Sequence, residues 1–554
     1  MKTCRICSQL FTVDDEDRQF YEKLKVPEPT DCPSCRDRAR LAFRNERYYY
    51  PRSCDHCKKG IISIYDPEHV KNVYCHTCFW SDQWDPRTYG QDFDEKRPFF
   101  QQYHELLQKA PKLAMMSDNG TGSENCEYTY DIAYGKNSYL VIGSWHFQDC
   151  YYGFQINYDK DCIDNYFVNE SELMYNSLFC EKCYNCQDCM QCEGSNDCIF
   201  GFDLKGCRDC LLSAGLRHKQ YYIGNRPYSK EEYFKKKAAL QLDSWKKREQ
   251  HRQKFEEFLK KIPRRYANLP SCEDCTGDNI AHSKNSKECY AHRNLHNCKW
   301  MTNGYGAKDC YECYSTSTPE LCYNCITPDN SYNVIFSVFC WKSQFMAYSD
   351  NCHSSHDLFG CVGMKRAEYA ILNKAYSKEK YEKLVPKVIE NMENYQEWGQ
   401  FFSPAVTPFA YNESAAYEWY PLDGNKAKEL GYRWQPNLPG SFGKETISWE
   451  KVSDSINDIQ ETSTLGKGKE IFHCIACGRN FKILQKEFRF YKKGAIPLPR
   501  HCIDCRYYAR KKRANPRQLW ERGCEKCSAK VMTTYAPNRP ETIYCQKCYE
   551  TIQS

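Results

Sequence analysis

Sixteen cysteines in eight Cys-x-x-Cys pairs are the first residues in this sequence whose type and spacing could do chemistry. Cys4, Cys7, Cys32, Cys35, Cys54, Cys57, Cys75 and Cys78 lie near the start; Cys474, Cys477, Cys502, Cys505, Cys524, Cys527, Cys545 and Cys548 lie near the end. A turn of this kind sets two thiolates on one side of a tetrahedral ion, and two turns close a Cys₄ site. The spacing therefore predicts about four zinc ions as the cofactor. Sequential pairing, Cys4–Cys7 with Cys32–Cys35 and so on, is the simplest arrangement, and an interleaved one uses the same ligands. Iron in the same S₄ geometry, or disulfides, are the alternatives. A closed site leaves no position for water, so the metal is expected to supply folding energy rather than catalysis.

The two sets are copies. Every cysteine of the first recurs 470 positions later without insertion or deletion, and so do Phe11, Tyr21, Pro27, Arg36, Arg40, Asn45, Arg47 and Arg52. Residues 1–90 and 471–554 are thus expected to be duplicated double zinc-ribbon cassettes.

Stepping inward from these ends, twenty-two further cysteines fall in residues 126–210 and 272–361, eleven in each, often preceded by Asp or Asn. Their intervals repeat as 9 and 12, as at Cys150–Cys162, Cys189–Cys198 and Cys298–Cys310–Cys322. Short fixed periods imply stacked repeats. The segments between them, such as "SYLVIGSWHF", suit short strands with Asn, Asp and Gly turns. The expected fold is mainly β: two cysteine-rich parallel β-solenoid-like lobes, 119–228 and 269–376, with reduced cysteines on an inner ladder. A helical connector (91–118), a basic helical linker (229–268), a helical and irregular flank (377–450) and a flexible tether (451–470) complete the organisation. Ser229 with Glu232 forms a capping box, and Ser377 a simple cap. "CEKCYNCQDCMQC" carries Cys180, Cys183, Cys186, Cys189 and Cys192 at every third position, which suits stacked structural thiols or, alternatively, a metal. Cys272/Cys275, Cys310/Cys313 and Cys322/Cys325 pose the same choice.

Thirty-eight cysteines in 554 residues fit either a disulfide scaffold or a reducing compartment where thiolates hold metal. Because "MKTCRICSQL" begins a metal knuckle at residue 4, no leader is expected, and no apolar run suggests a membrane span. A cytoplasmic location follows as the expectation. Charge is uneven. From Cys474 to Cys548 there are 18 Lys and Arg against 5 Asp and Glu, whereas Cys4 to Cys78 has 13 against 12. A basic segment joins the ribbons of the last cassette, and Arg506, Arg510, Lys511, Lys512, Arg513 and Arg517 with Tyr507, Tyr508 and Trp520 are expected to contact phosphate and stack on unpaired bases. The partner expected is nucleic acid, RNA or single-stranded, including ribosomal RNA; a protein complex is the alternative. Catalysis is not expected. "HSSHD" offers His353 and His356 near Asp357, yet no phosphate loop, HExxH or nucleophile elbow accompanies it.

At "RLAFRNER", "SDQWDPRTYGQDFDEKRPFF", "YSKEEY" and "YNESAAYEWYPL" the chain resembles uncharacterised cysteine-rich zinc-ribbon proteins of small-genome candidate-phyla bacteria. The resemblance spans most of the chain. It implies zinc ribbons around a cysteine-rich middle and brings no activity or substrate.

Overall fold

A computed structural model describes residues 1–117 and 122–553. Through the middle of the chain the backbone winds in coils of twelve residues. Parallel bridges join Tyr139 to Tyr151, Tyr151 to Ile163, Ile163 to Tyr175 and Tyr175 to Gln187. Each rung is held by bonds such as Tyr151 N–H to Cys162 O and Tyr152 N–H to Tyr139 O, 2.9 and 3.0 Å.

A regular coil has four sides of three residues: one bridging, one left-handed and one pointing inward. Tyr152, Gln155, Tyr158, Asp161 and Asp164 all have φ between 51° and 60°. Asn and Asp adopt that conformation at low cost, which is why they so often precede a cysteine. Inward positions follow at every third residue. Ile156, Cys162, Val168, Met174, Cys180, Cys183, Cys186, Cys189 and Cys192 are buried together in one core, and Cys289, Cys298, Cys310, Cys313, Cys322 and Cys325 in another. The 9- and 12-residue cysteine steps are therefore three and four sides of a coil. The lumen is narrow, and serine shares it by bonding backbone: Ser138 Oγ accepts from Cys150 N–H at 3.0 Å and donates to Lys136 O at 2.8 Å. All 38 cysteines are free thiols.

The second array includes a sheet of ten strands, parallel from Glu273–Ala281 to Glu368–Ile371 and closed by antiparallel Lys374–Ala375. Each array ends in a helix. Lys230–Ala239 starts at the Ser229–Glu232 capping box, and Lys378–Asn394 starts where Ser377 Oγ accepts from Lys380 N–H. Helix and strand take similar shares, 23% and 26%. "Mainly β" is too strong a description, because most coil sides make single bridges rather than extended ladders. No helix among the described residues is long and apolar enough to cross a membrane.

The chain forms two compact units, and neither is continuous in sequence. One joins Met1–Asn119 to Leu269–Pro439; the other joins Gly120–Asn268 to Gly440–Ser554. The first cassette therefore packs with the second array, and the last cassette with the first array. The boundary expected at 118/119 lies outside the described residues. Residues 451–470, expected as a tether, are in place: Val452, Ile456 and Ile459 are buried with Trp449 and Tyr491, and Ser455 bridges Ser244. Its polar composition hid three apolar side chains spaced to reach one cleft. Replacing Ile456 by Ala should cost the second unit about 2–4 kcal/mol, as burial of a large aliphatic side chain dictates. Chemical denaturation checks this, and a tether would show no change.

Candidate metal centres

Four groups of cysteines bring their sulfurs within 4.8 Å of one another: Cys4–Cys7–Cys32–Cys35, Cys54–Cys57–Cys75–Cys78, Cys474–Cys477–Cys502–Cys505 and Cys524–Cys527–Cys545–Cys548. The pairing is sequential. Each group could hold one metal ion.

The local structure explains how. In each group the first pair sits on a tight turn, closed by Ser8 N–H to Cys4 O, Lys58 N–H to Cys54 O, Gly478 N–H to Cys474 O and Ser528 N–H to Cys524 O, all 2.7–2.9 Å. The residue after that pair is left-handed every time: Ser8, Lys58, Gly478 and Ser528, φ 59–74°. The second pair opens a helix, with Cys32, Cys75, Cys502 and Cys545 as N-caps. Helix N-termini favour thiolate. Sulfur separations of 3.6, 3.9, 3.7 and 3.7 Å join Cys7–Cys32, Cys57–Cys75, Cys477–Cys502 and Cys527–Cys545. A tetrahedron of thiolates about 2.3 Å from a central ion has edges of about 3.8 Å. The geometry fits.

Electrostatics agree. A hydrogen bond from Cys35 leads the causes that bring Cys32 to about 5. Burial pushes Cys54, Cys474 and Cys524 up, but backbone N–H groups outweigh it and hold them at about 7, 7 and 6. Burial, with neighbouring thiols, pushes Cys78, Cys502 and Cys548 up to about 12. Each group thus holds one thiol whose anion is favoured, and in each at least one other thiol is pushed up, so that a cation among them would favour full ionisation.

The five cysteines of "CEKCYNCQDCMQC" lie elsewhere. All are buried in the coil lumen, and each donates to the carbonyl two residues back, as Cys180 to Leu178 O at 3.3 Å and Cys189 to Gln187 O at 3.4 Å. They pack the lumen and belong to none of the groups of three or more ligand atoms within 4.8 Å among the described residues.

The basic segment of the last cassette also has a different role from the one its composition suggested. Arg506 and Arg510, one turn apart on helix Ile503–Lys511, reach Asp164 of the first array at 3.3 and 2.7 Å. Arg506 also meets Glu487 at 3.3 Å and lies over the ring of Tyr152. Arg513 donates to Asn176 O and Asp188 O. Tyr507 packs against Phe154 and Tyr166. Tyr508, Lys511, Arg517 and Trp520 are half-buried, and only Lys512 of the nine is exposed. Burial lowers Arg513, whereas Asp164, Tyr491 and Glu487 raise Arg506 against its desolvation. The charge excess of this segment is answered within the chain, because residues 124–209 hold fifteen Asp and Glu against five Lys and Arg.

The first cassette repeats the arrangement. Arg36 Nε bonds Glu312 Oε2 at 2.6 Å, Arg40 Nη1 reaches Glu312 at 3.3 Å and Asn324 at 2.9 Å, and Arg36 lies over Trp300. Successive rungs supply an aromatic ring, a carboxylate and an asparagine in both arrays: Tyr152, Asp164 and Asn176 in one, Trp300, Glu312 and Asn324 in the other. These six residues were missed from sequence. Their 12-residue spacing, placed beside the matching arginines of the two cassettes, was the available signal.

Two outcomes follow. Elemental analysis of protein purified without added metal should find about four ions, and Cys502→Ser should remove one and unfold its module while the coils persist. Arg510→Met should cost about 3–5 kcal/mol by leaving buried Asp164 with Arg506 as its one cation, and adding Asp164→Leu should recover part of that, because Arg506 keeps Glu487. Metal content should not change in either of the last two variants, and chemical denaturation reads the cycle.

No family model matches this chain, and no curated protein does either.

Proposed function

We propose that the protein is a non-enzymatic zinc-binding scaffold: two β-solenoid lobes, each clamped by a double zinc ribbon, with single-stranded nucleic acid as partner. Zinc suits four all-thiolate groups without an open position. The observation that carries the partner is one helix face. Helix Gln485–Lys493 buries Glu487, Phe488 and Tyr491 and turns Lys486, Arg489 and Lys493 outward, with Lys482 just before it. In the other copy the same positions are Glu16, Gln19, Lys23 and Thr12. The cassette sequences diverge toward positive charge on the side that faces solvent, where phosphates could reach it. Arg489 also pairs with exposed Glu461, a contact that a phosphate could replace.

A protein partner is the second reading. On the first array the rings of Tyr134, His146 and Tyr158 stack at 4.5 and 4.7 Å, and both tyrosines are more than half exposed. Such a rigid aromatic ladder suits a protein contact.

Fluorescence anisotropy of the full chain with single-stranded RNA tests the first reading. Binding should weaken steeply with salt, and changing Lys482, Lys486, Arg489 and Lys493 to Gln should flatten the slope of log K against log salt by about 2–3. Zinc content should stay the same. A parent that does not bind at low salt, or a variant that binds equally, would leave the protein-partner reading.

A further inference from the structure

Nineteen of the twenty-two coil cysteines are fully buried, and three are not: Cys126, Cys272 and Cys275. Cys126 is single, at the start of the first array. Cys272 and Cys275 form a Cys-x-x-Cys pair at the start of the second. Cys272 precedes and Cys275 lies on strand Glu273–Ala281, the edge of the ten-stranded sheet, which among the described residues pairs with Lys284–His296 alone. No further rung covers it on the outer side within that sheet.

The register there departs from the rest of the coils. Glu273 and Cys275 pair with residues eleven positions on, Lys284 and Ser286, while Gly277 and Asp278 pair twelve on. The bulge between them needs Gly277, whose φ is 131° and where a Cβ would lie 1.8 Å from Cys289 O. Cys275 sits over Ser286, at the open end of the ladder that continues through Cys298, Cys310 and Cys322, with no further rung above it in the sheet. The two thiols are three residues apart, and each donates to the carbonyl two residues back, Cys272 to Pro270 O at 3.5 Å and Cys275 to Glu273 O at 3.3 Å. The neighbouring Cys272 thiol is the first cause holding Cys275 at about 7 against burial, with Ser286 N–H and Lys287 assisting, and Cys275 with burial pushes Cys272 up. Burial raises Cys126, which has no such neighbour.

We propose that Cys272 and Cys275 form a redox-active dithiol that exchanges with small-molecule disulfides, a site distinct from the four tetrads. The Cys275 thiolate attacks one sulfur of the disulfide, forming a mixed disulfide and expelling one thiolate. Cys272 then gives up its proton and attacks the Cys275 sulfur, expelling the second. Two protein thiols are oxidised to one disulfide, and the small disulfide is reduced to two thiols. Half-exposure allows the ligand to arrive, and the neighbouring thiol provides the resolving group. The buried lumen cysteines lack that access.

Trypsin isolates the pair in residues 266–284 and the single Cys126 in residues 113–136. The full-length protein is treated with oxidised glutathione, quenched by denaturing alkylation, digested and weighed by mass spectrometry. Peptide 266–284 should lose two hydrogens and both alkylation sites, at a rate about tenfold or more above any modification of 113–136. In Cys272→Ser the glutathione adduct should accumulate on Cys275, and in Cys275→Ser little should form on Cys272. Full alkylation of 266–284 in the parent would overturn the proposal, as would equal rates for Cys126. So would equal adduct formation on Cys272 when Cys275 is absent. The parent protein alone decides the first two outcomes, so a variant that folds poorly does not remove the test.

Discussion

Two arginines one helical turn apart, closed over a single coil carboxylate, are the constraint on which each unit depends. Arg36 and Arg40 meet Glu312; Arg506 and Arg510 meet Asp164. Each carboxylate is buried, so the arginines cannot leave without stranding it, and each arginine needs the carboxylate to offset its own desolvation. The helix that carries the arginines begins at a cysteine of a candidate metal group, Cys32 or Cys502. The cysteine group, the helix start and the docking pair are therefore one continuous piece of covalent geometry. An ion held by that group would fix the turn that aims the arginine pair.

The coils impose a second constraint, in the opposite direction. A three-residue side leaves room for one inward side chain, and a four-sided lumen is too narrow for many large ones. Cysteine, serine and glycine fill it because they are small, and serine can also bond the rung beside it. The left-handed residue on every side is forced by the corner it turns. Asp164 and Glu312 occupy such corners, with φ of 60° and 57°. A corner residue projects away from the lumen, which places an acid where a docking helix can reach it. The repeat that builds the core thus also spaces the docking groups.

The cysteine frame was legible from sequence because ligation demands fixed spacing and a duplicated cassette displays it twice. The coil period was legible for a related reason, since only residues at multiples of three face the lumen. The role of Arg506, Arg510 and Arg513 was not. Composition counts charges along the chain, and the acids that answer these arginines, Asp164 and Asp188, lie more than three hundred residues away in sequence. The tether was misjudged because Val452, Ile456 and Ile459 are sparse among polar neighbours. Only a partner surface, which local pattern does not contain, makes three apolar residues sufficient.

The pairing of first cassette with second array, and last with first, follows from residues that differ between the copies. Lys299 of the second array bonds Asp14 and Asp17 at 2.7 and 2.6 Å. In the last cassette those positions are Leu484 and Glu487, and the coil position matching Lys299, one residue before Tyr152, is Tyr151. Tyr151 and Leu484 belong to one apolar cluster. Exchanging the partners would set Lys299 against Leu484 and Asp14 against Tyr151, leaving a buried lysine without one of its carboxylates and a carboxylate without its cation. The shared arginine pair supplies attraction that both combinations could satisfy. The penalty for the wrong combination comes from the neighbouring positions, where charge meets charge in one unit and ring meets side-chain hydrocarbon in the other.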